Sequence, residues 1–343
     1  MHYKELGRTG LKVSTICMGT MTMGRQNTES EGHAQLDMAV AEGINFIDTA
    51  EMYPVPRDPK LFGDTERIIG SWLKSRGGRD KLILATKVAG PANVSIRPGQ
   101  RLDRRNIEAA IDASLQRLQT DYIDLYQVHW PDRPANFFGT LGFKAIKDKP
   151  GTVPIAETLE ALADLVKAGK VRHIGVSNET PWGVHEYLRL SQEKGWPRIQ
   201  SIQNPYNLLN RSFEVGLAEM ALREDVPLLA YSPLAMGLLT GKYHQPSPAS
   251  GRLTLFPEMS RYRTDLANQV TAKYLAVARD HGLDPAQMAL AYVLAQPFLC
   301  SVIIGATTLE QLKTDIAAWN LELPQSAVDA IEEIHNQHSN PCP

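Results

Sequence analysis

The feature that most constrains this fold is an alternation repeated eight times along the chain. Short, mostly apolar runs of strand length are separated by longer, helix-compatible segments. The runs are VSTICMG (13–19), INFID (44–48), KLILATKV (81–88), YIDLYQVHW (122–130), VRHIGVSN (171–178), RIQSIQN (198–204), VPLLAYSP (226–233) and LCSVIIGAT (299–307). Apolar runs this short suit strands buried on both faces, as in a parallel sheet. Between them, apolar residues recur at helical spacing in 30–43, closing on Gly43, and in 103–119, opening on Asp103. The same spacing marks 155–170, ending at Gly169, and 212–225, opening on Ser212. Asp and Ser are good N-caps, and Gly tolerates the backbone that follows a last helical turn. Eight strand–helix units predict a (β/α)8 TIM barrel. An open doubly wound sheet is the competitor, but it rarely needs eight even units. One barrel domain spanning 1–343 accounts for the whole chain.

Three stretches stand outside the repeat. Residues 1–14 predict an N-terminal β-hairpin, its first strand near Tyr3 and its turn at Thr9–Gly10. Long loops at 131–154 and 234–263 leave the fourth and seventh strands at their C-terminal ends, the face where barrels carry their active sites. Helices are expected over 265–280 and 284–296, and another after Pro324, followed by a frayed end.

A net charge of −2 argues against nucleic acid or an anionic membrane as partner. The start MHYKELGRTG has no apolar signal core, and no run of about 18 apolar residues is present. Three scattered cysteines form no disulfide framework, which suits a reducing, cytoplasmic setting. Oligomeric state is left open.

Chemistry is expected where polar residues end strands. Asp48, Lys87 and His129 end the second, third and fourth, and neighbouring strands lie about 5 Å apart. An acid, an amine and an imidazole would therefore share one mouth, with Tyr53 a short loop beyond Asp48. A free phenol has a pKa near 10, and a nearby ammonium is expected to lower it. Asp48 would keep Lys87 charged, and His129 would orient a carbonyl oxygen. Each residue alone is ordinarily a solvated or satisfied group; the four together describe a general acid aimed at a carbonyl. Such an acid needs a hydride source, which a nicotinamide cofactor supplies. CMGTMTMG lacks the G-x-G-x-x-G spacing, so a dinucleotide would have to lie across the barrel mouth. Ser177, Asn178 and Gln203 can bond a carboxamide, and Tyr231 offers a face for stacking. Ser232, Lys242 and Arg252 suit phosphates, and IIGATTLEQL sets a turn before a helix, an anion-binding arrangement.

The segments GINFIDTAEMY, LATK, DLYQVHW, IGVSN, QNPYN, AYSPLAMGLLTGKY and IIGATTLEQL, in this order, resemble the aldo-keto reductase superfamily over essentially the whole length. Within it, the likeness is to the branch related to potassium-channel β-subunits. The resemblance implies reduction of aldehydes or ketones with NADP(H), NADPH preferred and NADH also admitted. It implies Tyr53 as proton donor, Lys87 and Asp48 as its tuners, and His129 as the group orienting the substrate. It implies that Ser177, Asn178 and Gln203 hold the carboxamide, that Tyr231 stacks on the ring, and that Thr20 and Met21 border the cofactor. Ser232, Pro233, Leu234 and Gly237 are expected near the pyrophosphate, and Lys242 and Arg252 on cofactor phosphates. Gly305, Thr307 and Gln311 fall at the 2′-phosphate and adenine end, and Trp130 and Met21 with Tyr53 and His129 at the substrate. Gly305–Ala306 and Thr314–Asp315 depart from the family's pattern, Asp315 standing where Asn is frequent.

Two other classes compete with a reductase. A nucleotide-sensing scaffold acting through a protein partner would keep the pocket without turnover. A metal-dependent hydrolase would need several His and carboxylate ligands at strand ends, and Lys87 would repel a cation, so no metal is expected. His335 and His338 read as a solvated helix end. Trp130, Phe137 and Phe138 read equally as loop anchors or as a lid over an apolar substrate pocket.

Overall fold

The computed structural model describes residues 1–140, 142, 147–244 and 248–343. Eight parallel strands close into a barrel. They are β3 (Ile16–Gly19), β4 (Phe46–Asp48), β5 (Ile83–Val88), β6 (Ile123–Val128), β7 (Val171–Ser177), β8 (Ile199–Pro205), β9 (Leu228–Tyr231) and β10 (Leu299–Ile304). Each pairs with the next, and β10 closes on β3 through Val302–Ile16 and Ile304–Met18. This is the (β/α)8 architecture that the repeated pattern predicts.

The first barrel strand begins later than its apolar run. Lys12–Ser14 is β2, which pairs antiparallel with β1 (Tyr3–Glu5) in the hairpin. The connection spans Leu6 to Leu11, with Thr9 N–H donating to the Leu6 carbonyl and Gly7 at φ +56°. Its tightest point is therefore Gly7–Arg8 and not Thr9–Gly10. Hairpin residues Leu6 and Val13 pack with Cys17, Phe46, Leu125 and Leu229 inside the barrel and plug its lower end.

Helices α1 (Glu29–Ala41), α2 (Asp64–Arg76), α3 (Arg104–Leu118), α4 (Ile155–Lys167) and α5 (Pro181–Lys194) coat the first half. Thr28 caps α1 in a capping box with Glu31, and Asp103 caps α3. The expected helix at Ser212 divides: a single 3-10 turn covers Ser212–Glu214, and α6 is Leu217–Glu224. Gly216, at φ +92°, separates them. Next come α7 (Arg252–Leu255), α8 (Asp265–Asp280), α9 (Pro285–Leu294), α10 (Leu309–Ala317) and α11 (Gln325–Gln337).

The tail beyond α11 is anchored, contrary to the frayed end expected. Cys342 N–H donates to the Leu209 carbonyl, Asn340 Oδ1 accepts from Arg211 N–H, and the Cys342 side chain is buried. Among the described residues, no helix is long and apolar enough to cross a membrane.

Candidate active site

A cleft of about 1720 Å³ opens at the C-terminal ends of the strands. That exceeds the usual 300–1,000 Å³ of a single small-ligand pocket. Every candidate site residue read from the sequence lines it except Lys87, which is fully buried behind the wall.

Strand register explains the deep end. Asp48 lies opposite Ala85, so Lys87, two residues further along β5, leans over the carboxylate. Lys87 Nζ donates to Asp48 Oδ1 at 2.5 Å and to the Thr49 carbonyl at 2.7 Å, and stands 3.4 Å from the Tyr53 hydroxyl. The other carboxylate oxygen, Oδ2, accepts from Gln203 Nε2 at 2.9 Å and Gln127 Nε2 at 3.1 Å. Thr20 Oγ1 donates to the Asp48 carbonyl at 2.9 Å. A buried ion pair is tolerable when its remaining valences are met this way. Gly175 sits opposite Gln127 on β7, and a Cβ there would come within 2.7 Å of Ser201 Oγ. Its missing side chain makes room for Ser201 and for the Gln127 side chain.

β6 ends at Val128, one residue before His129, but His129 N–H still donates to the Val88 carbonyl and holds the ring at the mouth. The Tyr53 and His129 rings meet edge to face at 5.7 Å. Burial, with the Lys87 and Arg57 charges, keeps the imidazole pKa well below its ordinary value, so the ring is neutral. Its Nδ1 is buried without a partner among the described residues. Burial by itself would lower the Lys87 pKa; Asp48 and Tyr53 outweigh it and the ammonium is held charged.

The Tyr53 phenol departs from expectation. Its pKa is raised, because burial outweighs the Lys87 charge and Asp48 opposes that charge further. A phenol in this position keeps its proton at neutral pH.

Further round the barrel, Asn178 donates to the His129 carbonyl at 2.9 Å and accepts from the Tyr231 hydroxyl at 2.6 Å. Ser177 Oγ donates to the Gln203 carbonyl at 2.7 Å. Asn178, Ser232, Ala235 and Met236 all have φ between +50° and +57°. Non-glycine residues in this region are uncommon and concentrate at functional sites. Gly237 follows at φ +92°, where a Cβ would meet Lys242 Cε at 2.7 Å. Pro233, Leu234 and Lys242 line the same stretch of wall.

At the far end Arg252 donates to Gln26 Oε1 at 3.3 Å. Neither Lys242 nor Arg252 has a carboxylate within ion-pair distance among the described residues, and burial lowers both pKa values. Gly305 leads to Thr307, whose N–H and hydroxyl both meet Gln311 Oε1 at 3.0 Å. Asp315 is buried beside Asp284 and Lys242, and burial pushes its carboxyl up to about 7.

At the other end Trp130 is buried, Nε1 donating to the Pro91 carbonyl at 3.0 Å, and Met21 packs nearby. Phe137 joins this apolar cluster, whereas Phe138 is half-exposed and lines the cleft. The loop thus both anchors itself and presents a wall.

The sequence reading missed Gln127, Arg57, Arg261 and the C-terminal tail. Gln127 could have been found, since strand alternation puts it on the face of His129. The tail carries no such signal.

The model of the aldo/keto reductase family matches residues 15–336. The chain is 54% identical to Protein tas of Escherichia coli (strain K12) over all of both chains. It is 33% identical to Uncharacterized oxidoreductase YrpG of Bacillus subtilis, over 97% of this chain and 96% of that one. Norsolorinic acid reductase B of Aspergillus parasiticus is 30% identical, over 97% of this chain and 84% of its own.

Proposed function

The chain belongs to the aldo/keto reductase family and is an NAD(P)H-dependent oxidoreductase of carbonyl compounds; from that premise we propose that it reduces aldehydes or ketones to alcohols with NADPH, Tyr53 supplying the proton. The observation that supports this most is the Tyr53 hydroxyl, 3.4 Å from Lys87 Nζ at the wall of the cleft. A nicotinamide cofactor supplies the hydride when bound. The donors present fit such a group: a hydroxyl, two amides and a phenol at Ser177, Asn178, Gln203 and Tyr231, and two cations without an ion pair among the described residues, Lys242 and Arg252, for phosphates. Thr307 and Gln311 offer neutral partners at the adenine end.

Tyr53 and His129 take the substrate oxygen between them, the neutral imidazole donating one hydrogen bond. As negative charge grows on that oxygen, Tyr53 gives up its proton. The Lys87 ammonium stabilises the phenolate left behind. Asp48 keeps Lys87 charged and fixed in place throughout. This division of labour suits a phenol that stays protonated until charge develops beside it.

NADPH oxidation measured against aldehydes, ketones and α-dicarbonyls, and repeated with NADH, tests the reading. Turnover of at least one class, faster with NADPH, is expected. No turnover of any class would overturn it.

A further inference from the structure

One cation at the substrate end is used by none of these steps. Arg57 lies four residues past Tyr53, in the loop between β4 and α2. Its guanidinium carbon sits 4.9 Å above the Trp130 ring, and Trp130 lies 4.9 Å from His129 between ring centres. The charge is near enough to help hold His129 neutral, and burial lowers the pKa of Arg57 itself. It is exposed, and it lines the cleft.

Among the described residues, Arg57 makes no ion pair and donates no hydrogen bond. Its neighbour in sequence, Asp58, pairs with Arg25 at 3.8 Å instead. Arginines of the next two loops, outside the cleft lining, differ. Arg97 is held by Glu51 at 2.6 Å, Arg101 by Asp132 and Arg133 by Glu179, each carboxylate buried. A guanidinium presents five donors in a fork that matches a carboxylate, and an exposed one with no protein partner has all of them free for a ligand. Arg261 lines the same cleft, with the phenols of Tyr231 and Tyr262 near its charge. It lies close to Gly139 and Pro343 where the loop and tail meet.

The geometry points to a substrate that carries its own anion: a carbonyl compound with a carboxylate several bonds from the carbonyl, held by Arg57 while the carbonyl oxygen meets Tyr53 and His129. Trp130 touches both His129 and Arg57, and no hydrogen bond joins the two directly among the described residues; a link through the ring favours an ω-carboxy aldehyde over an α-keto acid, whose two groups are adjacent. This assignment rests on the carbonyl-reductase reading.

Two aldehydes of nearly equal shape separate the cases: 4-carboxybenzaldehyde and its neutral methyl ester. With the NADPH-loaded enzyme, kcat/KM is expected to favour the carboxylate by on the order of tenfold to a hundredfold, mainly through KM, and the preference should shrink as salt rises. Arg57→Met should bring the ratio near one, and Arg57→Lys should restore part of it. Binding of 4-carboxybenzyl alcohol against its methyl ester, followed by tryptophan fluorescence with NADP bound, gives the same comparison without turnover. No preference in the wild type, or equal losses for both partners in Arg57→Met, would overturn the assignment and leave Arg57 as a prop for Trp130. Selective binding of the acid with neither aldehyde turned over would instead retain the anion site and remove the reductase reading.

Discussion

The two ends of the cleft handle charge in opposite ways. At the deep end, Lys87 and Asp48 stand on adjacent strands with every valence met by Thr49, Gln127, Gln203 or each other. At the far end, Lys242, Arg252 and Asp315 come from a loop and two helices, and none has an opposite charge within bonding distance among the described residues. The first arrangement is rigid before any ligand arrives. The second leaves charge to be neutralised by what binds. Preorganised charge belongs where a proton moves, and unmatched charge where an anion docks.

The sharpest way to break this comparison is to unpair the deep end. Lys87→Met leaves Asp48 buried with amides alone as partners. The expected cost is about 3–5 kcal/mol of stability, read by denaturant unfolding, together with most of the turnover. Adding Asp48→Asn removes the orphaned charge, so the double variant should be the more stable of the two. A single variant as stable as wild type would mean that the pair is not the tightly held unit described.

At the far end the sign is reversed. Arg252→Ala should weaken NADPH binding by on the order of tenfold to a hundredfold, affect NADH less, and leave the melting temperature unchanged or higher. Calorimetric titration with both cofactors checks this. Unchanged NADPH affinity would take Arg252 off the cofactor phosphates, and equal losses for the two cofactors would put it at a phosphate they share.

Asp315 gives a pH signature. Its carboxyl is held at about 7 folded, against 3.8 when unperturbed. A raised carboxyl binds its proton more tightly in the native state, so its penalty is absent below about pH 4 and complete above about pH 7. Asp315→Asn should melt with wild type at pH 4 and above it at pH 8, by up to a few kcal/mol. Melting curves with a constant separation would show that the carboxyl does not titrate in this window.

What could be read in advance follows the same division. The barrel and the Asp48–Lys87–Tyr53–His129 grouping were legible because strand alternation and strand order fix where those side chains point. The direction of the Tyr53 shift was not, since it depends on how deeply the phenol is buried against a charge only 3.4 Å away. The seat of the tail was hidden for a related reason. Asn340 and Cys342 are tied down by single hydrogen bonds to residues more than a hundred positions earlier, and no local pattern encodes such a contact. The break before α6 was written in Gly216, but its effect needs the backbone angle to be seen.

The most direct test of the account is Tyr53→Phe, assayed for turnover and NADPH affinity on the same preparation. Removing one hydroxyl should cut kcat by on the order of a hundredfold to ten-thousandfold while the dissociation constant stays near wild type. Wild-type turnover in the phenylalanine enzyme would contradict the account, since the proton would then come from elsewhere.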